Sequence, residues 1–128
     1  MKSMSYKLES MKPGMFMCWN ITAQACFDFT VTLRDDKTTY GTWKKAYSQN
    51  GDLCTVGNGD SVILGENLRF EISSDRASAL DSSATSGVIA DKQGRTLGHV
   101  TDLCFEDNGG SIDYNDLFIN IVAWKYRG

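Results

Sequence analysis

The stretch FEDNGGSIDYND holds Glu106, Asp107, Asp113 and Asp116, with the amides of Asn108 and Asn115 among them. A strongly apolar run, LFINIVAW, follows at once. Carboxylates crowded on one loop repel each other, and fixing both ends of that loop in strands costs stability unless a cation sits among them. Carboxylate and amide oxygens without histidine or cysteine are hard ligands, which suit calcium rather than zinc, copper or iron. Magnesium keeps several waters and needs fewer protein oxygens. The residues therefore point to calcium, and the bland alternative is a solvated acidic turn. An EF-hand loop is excluded because its spacing and its flanking helices are missing. The glycine-rich nonapeptide of β-helices is excluded because GGSIDYNDL occurs once and cannot stack.

Other chemistry finds little support. Glycosidase carboxylates flank a cleft, whereas these acids are neighbours on one loop, which suits a shared cation. No Ser–His or Cys–His constellation supports a nucleophile. The single histidine, His99, reads as a strand residue. The expectation is a protein that binds and does not catalyse.

The elements that must position this loop are strands. In CFDFTVTL, Phe27, Phe29, Val31 and Leu33 share one face, and Asp28, Thr30 and Thr32 take the other. LRFEIS repeats the pattern with Leu68, Phe70 and Ile72 inward. MFMCWN, TYGTWKK, DLCTV, SVIL, SGVIA and LGHVTDLCF read as further strands. Turn signals fall at Asn50-Gly51, Asn58-Gly59-Asp60, Gly65-Glu66-Asn67 and Asp91 to Gly94. SDRASALDSSA reads as a loop or one short turn. The expected fold class is all-β: an antiparallel β-sandwich of jelly-roll or Greek-key type with about eight or nine strands. Residues 1–14 are expected to be an N-terminal extension or edge segment and residues 15–128 a single domain. LFINIVAW is apolar on both faces except at Asn120, so both faces should be covered, by loops of this chain or by a partner subunit.

Composition narrows the partners. A net charge of -3 and a pI near 5.0 argue against nucleic acid and anionic membranes. No apolar stretch reaches the length of a membrane span, so no membrane insertion is expected. MKSMSYKLESMKPG lacks the apolar centre of a signal peptide. Synthesis in the cytoplasm is expected, with export by a non-classical route if the protein acts outside the cell. Cys18, Cys26, Cys54 and Cys104 match no zinc spacing and are expected to be free, mostly buried thiols.

One known pattern fits the acidic stretch. Glu106-Asp107, a glycine-containing loop, Asp113-Tyr114-Asn115-Asp116, an apolar strand and a final glycine together resemble the C-terminal half of the calcium-mediated bacterial lectins that bind fucose and mannose. Upstream, WNITAQACFDFTV places Asn20 where that family takes one more ligand, and GENLRFEISSD resembles its mid-chain strand. The likeness runs over most of residues 15–128.

The resemblance implies a β-sandwich whose calcium ions hold sugar hydroxyls directly. Asn20, Asp113, Asn115 and Asp116 would hold one calcium. Glu106, sharing oxygens of Asp113 and Asp116, would hold a second. The carboxylate of Gly128 would reach a neighbouring subunit's site in a homodimer or tetramer. Ile21, Thr22 and Ala23 would sit at the sugar-specificity loop, with Asp107, Asn108 and Ser111 at its rim. Ser111 stands where the family carries a further aspartate, so the implied metal content is one or two calcium ions. The implied partner is a glycan of fucose or mannose type. The alternative is a structural or adhesion β-sandwich in which calcium only stiffens the loop.

Overall fold

The computed structural model describes residues 1–24, 27–49, 51–107 and 116–126. Among these residues there is no helix and there are nine strands: β1 Lys2–Lys7, β2 Phe16–Ala23, β3 Phe29–Arg34, β4 Thr39–Lys45, β5 Cys54–Val62, β6 Arg69–Ser74, β7 Asp81–Ala90, β8 Thr96–Glu106 and β9 Leu117–Trp124. They form two antiparallel sheets packed as a β-sandwich, one in the order β1-β6-β3-β4 and the other β5-β2-β9-β8-β7.

Alternation decides which side of each strand is dry. Phe29, Val31 and Leu33 of β3 and Phe70 and Ile72 of β6 face Met17, Trp19, Ile21 and Ala23 of β2 and the buried residues of β9. Phe27 lies before β3 and is only half-buried, so the alternating face begins at Phe29. β9 lies in the middle of its sheet, paired with β2 on one side and β8 on the other. Leu117, Ile119, Ile121 and Ala123 fill the core, while Phe118, Val122 and Trp124 stay half-exposed on the outer face beside exposed Asn120.

Three readings of the sequence need correction. Asn58-Gly59-Asp60 is not a turn, because it continues β5, which unites the two strands expected on either side. Glycine is needed there for space: a Cβ on Gly59 would lie 2.5 Å from the Trp19 ring. The supposed loop SDRASALDSSA is a loop only as far as Leu80, and Asp81 to Ala84 open β7. Cys18, Cys54 and Cys104 are free, but Cys18 and Cys54 are exposed and Cys104 is half-buried, since each falls on a wet face or edge. Cys26 lies outside the described residues.

Two local devices hold the frame. Trp43 meets Trp19 edge to face, with centroids 5.7 Å apart, and lies over Gly41 and Gly57, closing the sandwich between β4 and β5. Asp35, fully buried, accepts the N–H groups of Lys37 and Thr38 at 2.7 Å, that of Gly65 at 2.9 Å, and the Tyr40 hydroxyl. It thus ties the β3–β4 turn to the loop before β6. At the expected turn Gly65 to Asn67, Asn67 takes a left-handed φ of 61°, which asparagine tolerates.

Candidate functional site

Three strands end together at one pole of the five-stranded sheet. The last β8–β9 pair is Phe105 with Leu117, and the last β2–β9 pair is Ala23 with Leu117. Asp116, one residue before β9, therefore sits between the ends of β2 and β8. Its N–H donates to the Phe105 carbonyl at 3.1 Å, and its carbonyl accepts the Gln24 N–H at 3.0 Å. The backbone of Asp116 is thus fixed from both sides.

Its side chain joins two others. Carboxylate oxygens of Glu106, Asp107 and Asp116 all lie within 4.8 Å of one another. Glu106 and Asp107 are each only 3% exposed. Oδ2 of Asp116 accepts the Asp107 N–H at 2.8 Å. The Asp116 carboxyl is pushed up to about 7, chiefly by burial, and that N–H pulls it back only in part. Hydrogen bonding with the Glu106 and Asp107 carboxylates and the Asp107 charge contribute to the same rise. Buried carboxylates this close share a proton or a cation, and the donor set, all oxygen, fits a hard divalent ion.

The other residues singled out by sequence fall in several places. Asn108, Ser111, Asp113, Asn115 and Gly128 lie outside the described residues. Asn20 sits in the middle of β2, paired with Asn120 and Asn58, and its amide donates to the Thr22 hydroxyl at 3.2 Å. That is four residues short of the acidic pole, about 13 Å along the strand. The structure therefore does not bring Asn20 to the three carboxylates. Ile21 and Ala23 are fully buried between the sheets, so their side chains are closed to a ligand, while Thr22 is half-buried on the outer face.

Gln24, and not Asn20, is the β2-side residue whose backbone N–H donates to the Asp116 carbonyl, where the chain leaves β2. The signal was in the sequence: the inward series Met17, Trp19, Ile21 runs on to Ala23, so the strand ends there and not at Asn20.

No protein-family model and no curated protein sequence matches the chain. Its fold matches solved bacterial lectins over nearly the whole length. The C-terminal domain of the lectin BC2L-C from Burkholderia cenocepacia superposes with a TM-score of 0.62 at 18% identity, covering 94% of this chain and 93% of that one. A high-affinity mannose-binding lectin of Ralstonia solanacearum gives 0.62 at 14% identity, covering 92% and 93%. The Chromobacterium violaceum lectin CV2L, solved with alpha-methyl-fucoside, gives 0.60 at 13% identity, covering 92% and 93%.

Proposed function

We propose that this chain is a carbohydrate-binding protein without catalytic activity, which uses calcium at the Asp116 pole to hold sugar hydroxyls of the fucose or mannose type. The observation that carries the reading is the convergence of Glu106, Asp107 and Asp116 where β2, β8 and β9 end. The shared fold with lectins named for mannose binding or solved with a fucoside supports it.

Glu106, Asp107 and Asp116 would hold the ion, joined by Asp113 and Asn115 from the adjoining DYND. Calcium, when bound, supplies open coordination positions that vicinal hydroxyls can take from water. The chain does the rest. Backbone hydrogen bonds, one donated by the Gln24 N–H and one accepted by the Phe105 carbonyl, fix the Asp116 backbone before any ligand arrives. Carboxylate oxygens left over at the rim accept strong hydrogen bonds from sugar hydroxyls. The half-exposed Phe118, Val122 and Trp124 on the outer face of β9 would be covered by a second subunit, giving a homodimer or tetramer whose several sites raise avidity.

A second reading is a calcium-stiffened structural or adhesion sandwich, favoured by the way Asp116 knots three strand ends. Thermal unfolding separates the two. Under the proposal the midpoint rises on replacing chelator with calcium, and again on adding methyl-mannoside or methyl-fucoside. A calcium shift with no sugar shift supports the structural reading. No calcium shift rejects both.

A further inference from the structure

The strand ends that flank residues 24–28, 46–53, 75–80 and 107–116 all lie at the pole that carries Asp116: Ala23 pairs with Cys54 and Leu117, Phe29 with Lys45, Thr30 with Ser73, and Asp81 with Glu106. Hydrogen bonds tie the first of these connections to the next two. Lys45 Nζ donates to the Phe27 carbonyl at 2.9 Å. The Asp28 carboxylate accepts the N–H groups of Asp75 at 2.9 Å and Arg76 at 3.2 Å, and the Ser74 hydroxyl at 3.3 Å. Buried Ala77 donates its N–H to the Ser74 hydroxyl at 3.2 Å, which fixes the chain just past Arg76.

On this frame the Arg76 guanidinium lies over the Tyr47 ring, 3.8 Å from its centroid. The attraction between a cation and a ring face, with the backbone ties around it, holds the guanidinium in place ahead of a ligand. Among the described residues Arg76 has no carboxylate partner. Yet the chain carries 16 acids against 13 bases, and Glu106, Asp107 and Asp116 gather at this same pole. Asp28, tied to the Arg76 backbone, is occupied by N–H and hydroxyl donors. An arginine that is positioned in this way and left unpaired keeps its planar set of N–H donors free. Tyr47 is 44% exposed, so the ring surface that Arg76 does not cover stays open.

We infer that Tyr47 and Arg76 form a second subsite, for a uronic acid unit linked to the neutral sugar held at Asp116. The inference rests on the proposed sugar site for the neutral half of the ligand. Tyr47 and Arg76 stand on the rim of the four-stranded sheet and Asp116 on the rim of the five-stranded sheet. The two subsites are therefore about 10 Å apart, the spacing of stacked sheets. One sugar ring does not bridge that gap, and two linked rings do. A uronic acid carries its carboxylate at the edge of the ring. A ring laid with its C–H groups against Tyr47 turns that carboxylate towards the Arg76 fork, which takes it through two parallel N–H···O bonds. A chain of net charge -3 draws no anion by its overall field, so the capture depends on this one fork and the preference for acid is modest.

Heteronuclear NMR on the full chain in calcium observes Arg76 directly, with methyl glucuronoside as the probe and its methyl ester as the uncharged twin. The acid should move the Arg76 Nε–H signal and the Tyr47 amide signal to saturation, and the ester should leave Arg76 unmoved. Y47L, which removes the ring beneath the guanidinium, should weaken that response about threefold or more. Calorimetry with a disaccharide of mannose and glucuronic acid completes the test. Wild type should bind the acid about fivefold to tenfold more tightly than its ester, and R76Q should bind both alike. An unmoved Arg76 signal, an equal shift from acetate, or an acid preference that survives in R76Q overturns the inference. Should R76Q fold poorly, the wild-type Arg76 signal decides alone. If Arg76 responds while methyl-mannoside and methyl-fucoside raise no unfolding midpoint, the acidic subsite stands and the sugar site at Asp116 fails, so the two failures are told apart.

Discussion

The N–H of Asp107 donates to Oδ2 of Asp116 at 2.8 Å, while the carboxylate of Asp107 lies within 4.8 Å of the Asp116 carboxylate. One residue thus both stabilises and repels the same charge. Burial, with the repulsion added to it, prevails, since the Asp116 carboxyl is pushed up to about 7. The ionised pole is therefore a state that a divalent cation would relieve.

The pH dependence follows from that shift. The folded value, about 7, lies above the ordinary 3.8, so this group's contribution is fully present below about 4 and is lost as pH rises towards 7. In chelator, the urea midpoint should fall across that window, and D116N should flatten the fall. Asp28, Asp35, Asp36 and Asp91 are held below the usual carboxylate range, so their contributions are lost only on acidification below about 4. A wild-type midpoint that climbs between pH 4 and 7 in chelator would count against this account of the pole.

Calcium should act through Asp116 and not through Asn20. At about a hundredfold excess over Kd, calcium should stabilise wild type by about 3 kcal/mol. D116N should lose most of that response, while N20A, whose side chain sits about 13 Å away along the strand, should keep it. Differential scanning calorimetry with and without calcium measures both, and equal loss in the two variants would show that Asn20 reaches the ion.

Asp35 is the acid whose removal should cost most stability outside the pole. D35A leaves the N–H groups of Lys37, Thr38 and Gly65 and the Tyr40 hydroxyl without their acceptor. A loss of about 3 kcal/mol or more in urea unfolding is expected. Tyr40, whose hydroxyl is raised to about 12 by burial and by Asp35, should titrate closer to its ordinary value in D35A, readable by ultraviolet absorbance.

Gly57 tests the closed side of the sandwich. A Cβ there would collide with the indole of Trp43, so G57A must displace the ring. The expected loss is about 1–3 kcal/mol, with a shift in tryptophan emission. G14A faces open space at a φ of 92° and serves as a control for backbone strain alone. Emission should be unchanged in G14A.

Much of this architecture was legible because alternation is a strong signal. β3, β4 and β6 read directly from FTVTL, TYGTWKK and RFEIS. What misled was glycine: Asn58-Gly59-Asp60 has turn chemistry, but Gly59 is there to admit the Trp19 ring from a strand distant in sequence. Glu106, Asp107 and Asp116 lie close together in the chain, and their carboxylates lie close together in space as well. On the β2 side it is the backbone of Gln24, four residues beyond Asn20, that meets Asp116, and seeing this requires the register of β2 on β9, a long-range pairing that short motifs do not encode.

The position of Asp116 at the head of β9 also sets how the molecule carries load. β9 is the middle strand of its sheet, bonded along its length to β2 and β8. A pull on anything held at Asp116 and directed along β9 is taken up in shear by both ladders at once, whereas the same pull along an edge strand would load one ladder alone. A tether at this pole is therefore anchored to the part of the fold best placed to resist tension.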